Sequence, residues 1–383
     1  MEKKDRLMSL DAFRGFDMFW IMGGCTFVCR LAVLFGSKGI WGKIGHVPWD
    51  GFQFMDTIFP TFLFMAGASF PFSCAKSMER GMSRGRIALR CFRRFVTLAL
   101  LGWLVQGFFA EFNFATFRIP SVLGYIGFGW MVAAWLYLYV KSPWVRLAVG
   151  AAILAGVTIA MGLIPAPDAA NFAWPTEVLK NRFAQFGTGN FSPVGNIGCW
   201  LDRTVLGNHI LNKGLFDNEG LGGLPCTVVT AMLGMFAGEI VRIGGTVATG
   251  RKALLLLGAS VVSLVAGLVL SHWCPIIKNL WSPSFVLVAA AYAFALFSLF
   301  YWIVDVKGAR RWCFFFQVIG MNSITIYVWQ NLVPMGDVAR AFLGGAASLL
   351  PEHAALVLMS IGHISLCWLL LWFLYRKNVF LKV

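Results

Sequence analysis

The sequence predicts an all-α fold, a polytopic integral membrane bundle of about ten transmembrane helices. Of its 383 residues, 58% are hydrophobic and 13% are charged, and the mean hydropathy is +0.73, which is typical of membrane proteins. Apolar stretches long enough to cross a bilayer, about 20 residues each, recur along the chain. They lie roughly at residues 13–35, 52–75, 88–110, 120–140, 144–164, 222–242, 253–272, 283–304, 313–333 and 354–375.

The basic residues predict the orientation of this bundle. Placing the N-terminus inside puts most of the 32 Lys and Arg residues in cytoplasmic segments or at inner helix ends, as the positive-inside rule requires. Both termini are therefore predicted to be cytoplasmic. The first span is long and follows the charged segment MEKKDR, which indicates an uncleaved helix. The net charge of +15 then reflects topology and argues against nucleic-acid binding.

The chain is predicted to form a single transmembrane domain over residues 1–383, with an outer capping loop at about 165–221. Within that loop NIGCWLDRTVLGNHI has apolar residues at helical spacing and predicts a short surface helix. The nine cysteines show no spacing typical of a metal site. Cys199 and Cys274 fall in predicted outer loops, where an oxidising compartment would permit a disulfide; two isolated thiols are the alternative.

Polar residues gather where the second span begins, in GHVPWDGFQFMDTIFPTFLFMAG, residues 45–67. Asp56 precedes an uninterrupted apolar run, so it should lie inside the bundle, where carboxylates are costly and usually paired or functional. His46 and Asp50 lie just outside the span. Trp49 is interpreted as an interfacial aromatic anchor, with a contact to a ligand as the alternative. Pro60 is predicted to kink the span.

A second group of charges lies near the cytoplasmic ends of the first and third spans. Asp11 and Arg14 are three residues apart and share a helix face, which favours a local ion pair. The alternative is a pocket for an anionic ligand, because the planar guanidinium group suits phosphate. Lipid headgroups would satisfy the same cluster. Its predicted members are Arg14, Arg90, Arg93 and Arg94.

Several motifs, in order across nearly the whole chain, resemble those of the heparan-alpha-glucosaminide N-acetyltransferase family. They are RLMSLDAFRG, HVPWDGFQFMDTIFPTFLFMAGAS, FRIPSVLGYIG, CWLDRTVLGNH, DNEGLGGLPCTVVTAMLGMFAGEI, KNLWSPSF, VDVKG and GMNSITIYV. The family that the chain resembles includes bacterial members described as N-acetylglucosamine-related membrane proteins. The resemblance therefore implies an integral protein of the bacterial inner membrane. It also implies a transmembrane acyltransferase that takes acetyl-CoA from the cytoplasm and acetylates an amino sugar or oligosaccharide on the outer side. A homodimer is expected by the same resemblance.

The resemblance places the family's catalytic histidine on His46, within its H-x-x-W-[ND]-G motif. A neutral imidazole can act as a base towards the amine or as the carrier of the acyl group. Asp50 or Asp56 would orient the ring, and the buried Asp56 is favoured.

Further residues are assigned by their position near this reaction. Asn322 and Ser323 are assigned to acetyl-CoA together with the four arginines, with interhelical hydrogen bonding as the alternative for Asn322. The residues assigned to the acceptor are Trp49, Glu219 and Asn279. Lys278 is interpreted as a solvated charge, or as a contact for an anionic polysaccharide. No metal is expected.

The sequence departs from the family pattern at two places. Cys25 stands where the human-type members carry an Asn in the first span, and a thiol is a poor donor to a thioester oxygen. Gly124 and Tyr125 replace a Gln-Arg pair of some relatives. These departures leave open a transporter of amino sugars without covalent chemistry, which would use the polar cluster as a midplane site. Two observations disfavour it: the two sets of five spans show no internal repeat, and His46 lies at one face.

Overall fold

A computed structural model describes residues 7–37, 39–171, 190–211, 214–244 and 248–381. These residues form helices and no strand; two isolated bridges pair Asp50 with Ile277 and Pro165 with Asn196. The first five helices are α1 (Met8–Leu34), α2 (Phe54–Glu79), α3 (Arg84–Val105), α4 (Val122–Tyr139) and α5 (Pro143–Leu163). The remaining helices are α6 (Ile197–Leu206), α7 (Leu224–Arg242), α8 (Thr249–Ser271), α9 (Pro283–Val306), α10 (Phe314–Met321), α11 (Ser323–Leu332), α12 (Met335–Ser348) and α13 (Glu352–Arg376).

Eight helices in the described part of the chain are long and apolar enough to cross a bilayer, namely α1, α2, α4, α5, α7, α8, α9 and α13. The sequence predicted about ten spans, and the difference has two causes. Helix α3 has the length of a span but carries five arginines. The predicted span at 313–333 is broken at Asn322, where the backbone leaves the helical region (φ −131°, ψ 33°), so that α10 and α11 are separate helices.

Helix α2 lies at the centre of the bundle. Leu63, Phe64 and Met65 are fully buried, and the helix packs against α1, α4, α7 and α9. It runs from the end of the bundle that carries His46, here called the outer end, to the opposite, inner end. The first turn of this helix follows closely after the HVPWDG segment, and this places Asp56 at the edge of the core.

Glycines set the contact between α2 and α7. A Cβ atom added at Gly67 would lie 2.2 Å from the carbonyl oxygen of Ala231, and one added at Gly234 would lie 2.0 Å from that of Phe64. No side chain fits at such distances, so the two backbones cross in direct contact. Small residues at helix crossings are typical of membrane bundles, where packing replaces the hydrophobic effect as the driving force for association.

A cap of loops and the short helix α6 covers the outer end. Helix α6 is the surface helix that the sequence predicted in this region. Residues 172–189 and 212–213 of the predicted capping loop lie outside the described residues. Arg203 on α6 forms two hydrogen bonds to Asp168, of 2.8 and 2.6 Å. The disulfide considered for Cys199 and Cys274 is wrong, since both are free, buried thiols; Cys274 lies close to Cys226 and bonds to Ser284.

The glycine crossing predicts a sharp difference between two Gly-to-Ala substitutions. Gly234→Ala should lower the stability of the folded protein by about 2 kcal/mol or more, because the added methyl group overpacks the crossing. Gly156→Ala on α5 is the matched control: nothing lies within 4 Å of its Cβ position, and alanine favours a helix. Apparent unfolding temperatures in detergent measure both. Equal temperatures for the two variants would contradict the close crossing.

Candidate functional site

The site begins with the way Asp56 caps helix α2. Asp56 is the third residue of that helix, and its side chain accepts the backbone N–H of Gln53, which completes a capping box. The acceptor is Oδ2, at 3.0 Å from the Gln53 nitrogen, and the same oxygen lies 3.3 Å from the Val47 nitrogen. Asp56 is fully buried. These bonds and the positive end of the helix hold a carboxylate where burial alone would be costly.

The second oxygen of Asp56 is directed at His46. Asp56 Oδ1 lies 2.8 Å from His46 Nδ1, while the side chain of His46 is 49% exposed. An Nδ1–H that donates to Asp56 fixes the neutral tautomer with its lone pair on Nε2, at the other edge of the ring. The arrangement is that of a base oriented by a buried carboxylate.

Lys278, interpreted from the sequence as a solvated charge or a polysaccharide contact, is part of this centre. The segment before α9 lies alongside the segment before α2, with the Gly51 N–H donating to the Ile276 carbonyl at 2.9 Å. This brings Lys278 Nζ to 2.9 Å from His46 Nδ1 and 3.6 Å from Asp56 Oδ1. No local pattern could have shown the contact, because 232 residues separate Lys278 from His46.

The surroundings of Lys278 favour a weakly held proton. Burial lowers the pKa of its ammonium group below the usual range, and the nearby carboxylates of Asp56 and Glu219 oppose that shift. The three side chains thus form a compact set that contains one carboxylate, one imidazole and one amine.

The other residues predicted near His46 lie in its supporting loops. Trp49 is only 2% exposed; its indole donates to the Phe191 carbonyl at 2.8 Å and packs against Phe216. The expectation of an interfacial anchor is therefore wrong, because the ring is enclosed by the cap. Asn279 lies beside the same segment, with Nδ2 at 3.3 Å from the Pro48 carbonyl. Asp50 is exposed and pairs through its backbone with Ile277, whereas Asp56 contacts the imidazole.

Glu219 belongs to a second ionic group in the cap. Arg118 binds Asp217 through two hydrogen bonds, of 2.9 and 2.5 Å, and also binds Glu219. Burial acts to lower the pKa of Arg118, but the two carboxylates raise it above its usual value. Burial raises the pKa of Glu219, and Arg118 opposes that shift. Arg118 lies in the FRIPS motif and its partners in DNEGLGG, so the motifs meet in space around the His46 centre.

The four arginines predicted to bind an anion do not form one cluster but fall into two pairs. Arg90 and Arg93 are exposed, and Arg90 contacts Met82. Arg14 and Arg94 lie within electrostatic range of one another, although Arg14 also forms the expected ion pair with Asp11 at 3.4 Å. Arg94 stands midway along α3, with its guanidinium 4.2 Å from the ring centre of Trp130. Its Nε atom is buried and has no hydrogen-bond partner among the described residues.

Asn322 and Ser323 lie at the break between α10 and α11, and both are buried. The Asn322 amide donates to the Val379 carbonyl at 3.0 Å and accepts the Leu381 N–H at 3.3 Å. It therefore ties the C-terminal segment after α13 to the helix break, whereas the alternative considered for it was a hydrogen bond between helices. Cys25, at the family's Asn position, is 3% exposed and follows a π-helical turn at Trp20–Gly24.

Comparison with known proteins finds two relatives that carry the same name. No family model matches the chain. The chain is 26% identical to heparan-alpha-glucosaminide N-acetyltransferase of Homo sapiens, over an alignment that covers 99% of this chain and 60% of the relative. The protein of the same name from Mus musculus is also 26% identical, with 99% and 61% covered. The chain thus spans about 60% of the length of these curated relatives. This similarity over almost the entire chain supports its membership of the heparan-alpha-glucosaminide N-acetyltransferase family.

Proposed function

We propose that this protein is a membrane acyltransferase that moves an acetyl group from acetyl-CoA to an amino sugar at the outer end of the bundle. The observation that carries the proposal is the 2.8 Å contact between His46 Nδ1 and the buried Asp56, with the ring half exposed on its other side. The acetyltransferase relatives support the reaction class. The acetyl donor, the acceptor and the roles of the residues belong to the proposal.

His46 supplies the lone pair that the reaction needs. An amino sugar is an ammonium ion at neutral pH, and it must release one proton to solvent before its nitrogen can bond to the acetyl carbon. In the net reaction the carbon–sulfur bond breaks, a carbon–nitrogen bond forms, and a second proton passes from the nitrogen to the departing thiolate. Nε2 of His46 would carry that proton, or would bond to the acetyl group in a first step. Both routes use the same tautomer, which Asp56 holds.

Lys278 would compensate the charge of the Asp56 carboxylate, which accepts the Nδ1–H of His46. Its Nζ atom lies 3.6 Å from Asp56 Oδ1, and a buried carboxylate without an opposite charge nearby is unfavourable.

Arg94 and Arg14 would hold the phosphate groups of the donor. Two neighbouring cations inside a bundle repel one another and are costly there, and an anion between them would remove that repulsion. The buried Nε of Arg94, which has no hydrogen-bond partner among the described residues, supplies a free donor. A planar guanidinium group is suited to phosphate oxygens.

Buried polar atoms on the helices between the Arg14–Arg94 pair and the His46 centre would suit an extended acetyl donor. Asp17 Oδ2 and Trp20 Nε1 on α1, and Thr61 Oγ1 on α2, have no hydrogen-bond partner within the described part of the chain. Such atoms are rare in folded proteins and need an explanation. The helices that carry them pack against each other. An arm that contains amide groups, as in coenzyme A, would offer both donors and acceptors to them.

The first functional prediction concerns His46 and Asp56. His46→Ala should lower acetyl transfer to glucosamine by about 1,000-fold, within the range for loss of a general base. Asp56→Asn should lower it less, by about 10- to 100-fold, because the ring remains but its tautomer is no longer fixed. His353→Ala is the control, since His353 is exposed at the start of α13. Transfer is measured with purified protein that elutes as folded in size-exclusion chromatography. Full activity in His46→Ala would contradict the proposed centre.

The second functional prediction concerns Lys278. Lys278→Met keeps the length of the side chain and removes the ammonium group that lies 3.6 Å from the buried Asp56 carboxylate. Acetyl transfer should fall by about 10-fold, because the carboxylate that orients His46 loses its opposite charge. Lys278→Arg, which keeps the positive charge, should retain most of the activity. Full activity in Lys278→Met would show that the lysine does not support the His46–Asp56 pair.

A further inference from the structure

A cavity lies at the outer end, beside the ionic group of the cap. It has a volume of about 170 Å³ and is formed by the segment between α3 and α4, from Gln106 to Arg118. Pockets for drug-sized ligands span roughly 300–1,000 Å³, so this cavity suits one ring-sized group. Nothing in the proposed reaction at His46 uses it.

The walls of the cavity combine aromatic and hydrogen-bonding side chains. Phe108 and Phe117 provide the aromatic part, with ring centres 4.5 Å apart. Glu111 and Thr116 are exposed polar residues of the lining. Aromatic faces beside a few placed polar groups suit a ligand that is apolar on its faces and polar at its edges. A sugar ring has this character, with C–H groups on its faces and hydroxyl or amino groups around its edge.

The backbone of this segment holds an unfavourable conformation. Phe112 has φ 46°, ψ 35°, in the left-handed region, which costs a non-glycine residue about 1 kcal/mol or more. Its ring packs with Phe108, which also contacts Phe114 and Phe117. Strained residues of this kind occur at binding sites that the surrounding packing fixes in shape. The aromatic cluster therefore holds the cavity in its form.

Charge restricts the sugar that the cavity would accept. Arg118 is the one cationic side chain among the described residues of the lining, and Asp217 and Glu219 already bind it. Glu111 adds a carboxylate that no other described residue of the lining balances. These described residues together carry excess negative charge, which repels sulfate or carboxylate groups and attracts ammonium groups.

A short series of contacts joins the cavity to the reaction centre. Arg118 lines the cavity and binds Glu219. Glu219 lies within electrostatic range of Lys278, and Lys278 contacts His46 at 2.9 Å. The cavity and the reaction centre are thus connected through the side chains of the cap.

We infer that this cavity binds a second sugar unit of the acceptor, uncharged or bearing an amino group, so that the acceptor is a short amino-sugar oligosaccharide and not an anionic one. The inference rests on the proposed function in taking the reacting unit to be an amino sugar. It adds a binding site and excludes sulfated and uronic acid chains as preferred acceptors.

The test is equilibrium binding by titration calorimetry with the full chain in detergent. The ligands are glucosamine, the disaccharide of two glucosamines, and a sulfated disaccharide of equal length. The glucosamine disaccharide should bind about tenfold more tightly than glucosamine, as one good charge-assisted contact provides. The sulfated disaccharide should bind no more tightly than glucosamine.

Matched variants separate the cavity from the rest of the outer surface. Glu111→Gln should remove most of the gain for the glucosamine disaccharide and leave glucosamine binding unchanged. Glu352→Gln removes another exposed carboxylate at the start of α13 and should change neither. Equal effects of the two variants, equal affinity for one and two glucosamine units, tighter binding of the sulfated disaccharide, or no binding of any sugar would each overturn the inference.

Acetyl transfer by the wild-type protein is measured separately from saccharide binding, so that the two proposals can fail independently. Transfer without the binding pattern would overturn the cavity alone. The binding pattern without transfer would overturn the acyltransferase and leave a saccharide site.

Discussion

The arrangement of the outer end depends on one carboxylate. Asp56 accepts the backbone N–H of Gln53 and Val47 with one oxygen and faces His46 with the other. The first contact starts helix α2, which lies at the centre of the bundle, and the second fixes the imidazole. A fully buried carboxylate is unfavourable unless hydrogen bonds and an opposite charge compensate it. Here the helix N-terminus and Lys278 supply that compensation, so the folding of α2 and the geometry of the centre have the same origin.

The fold places two charged groups at different depths. His46, Asp56 and Lys278 lie where α2 begins, whereas Arg94 lies midway along α3 beside Arg14. The buried polar atoms of Asp17, Trp20 and Thr61 lie on α1 and α2. A small amino sugar would need only the first group. An extended anionic donor accounts for all three sets together, and this is the physical reason for favouring transfer over simple transport.

Much of this could be predicted from the sequence, and the failures share a cause. Hydropathy predicted all eight candidate spans, but it could not show that the span at 313–333 breaks at Asn322, because the amide of that residue is held by the C-terminal segment. The placement of Asp56 before an apolar run predicted its burial. Lys278 was missed and Trp49 was misplaced, because the partners of both residues come from segments far away in the chain. Contacts between distant loops leave no periodic signal.

The central claim is that the acetyl group crosses the bundle to react at the His46 end, and vectorial transfer in proteoliposomes tests it most directly. Acetyl-CoA with a labelled acetyl group is sealed inside vesicles in which the inner end of the protein faces the lumen, and glucosamine is supplied outside. We expect labelled N-acetylglucosamine in the external medium while the labelled donor stays inside. Glucosamine that enters the vesicles unmodified, or product formed only in the compartment that holds the donor, would contradict the account.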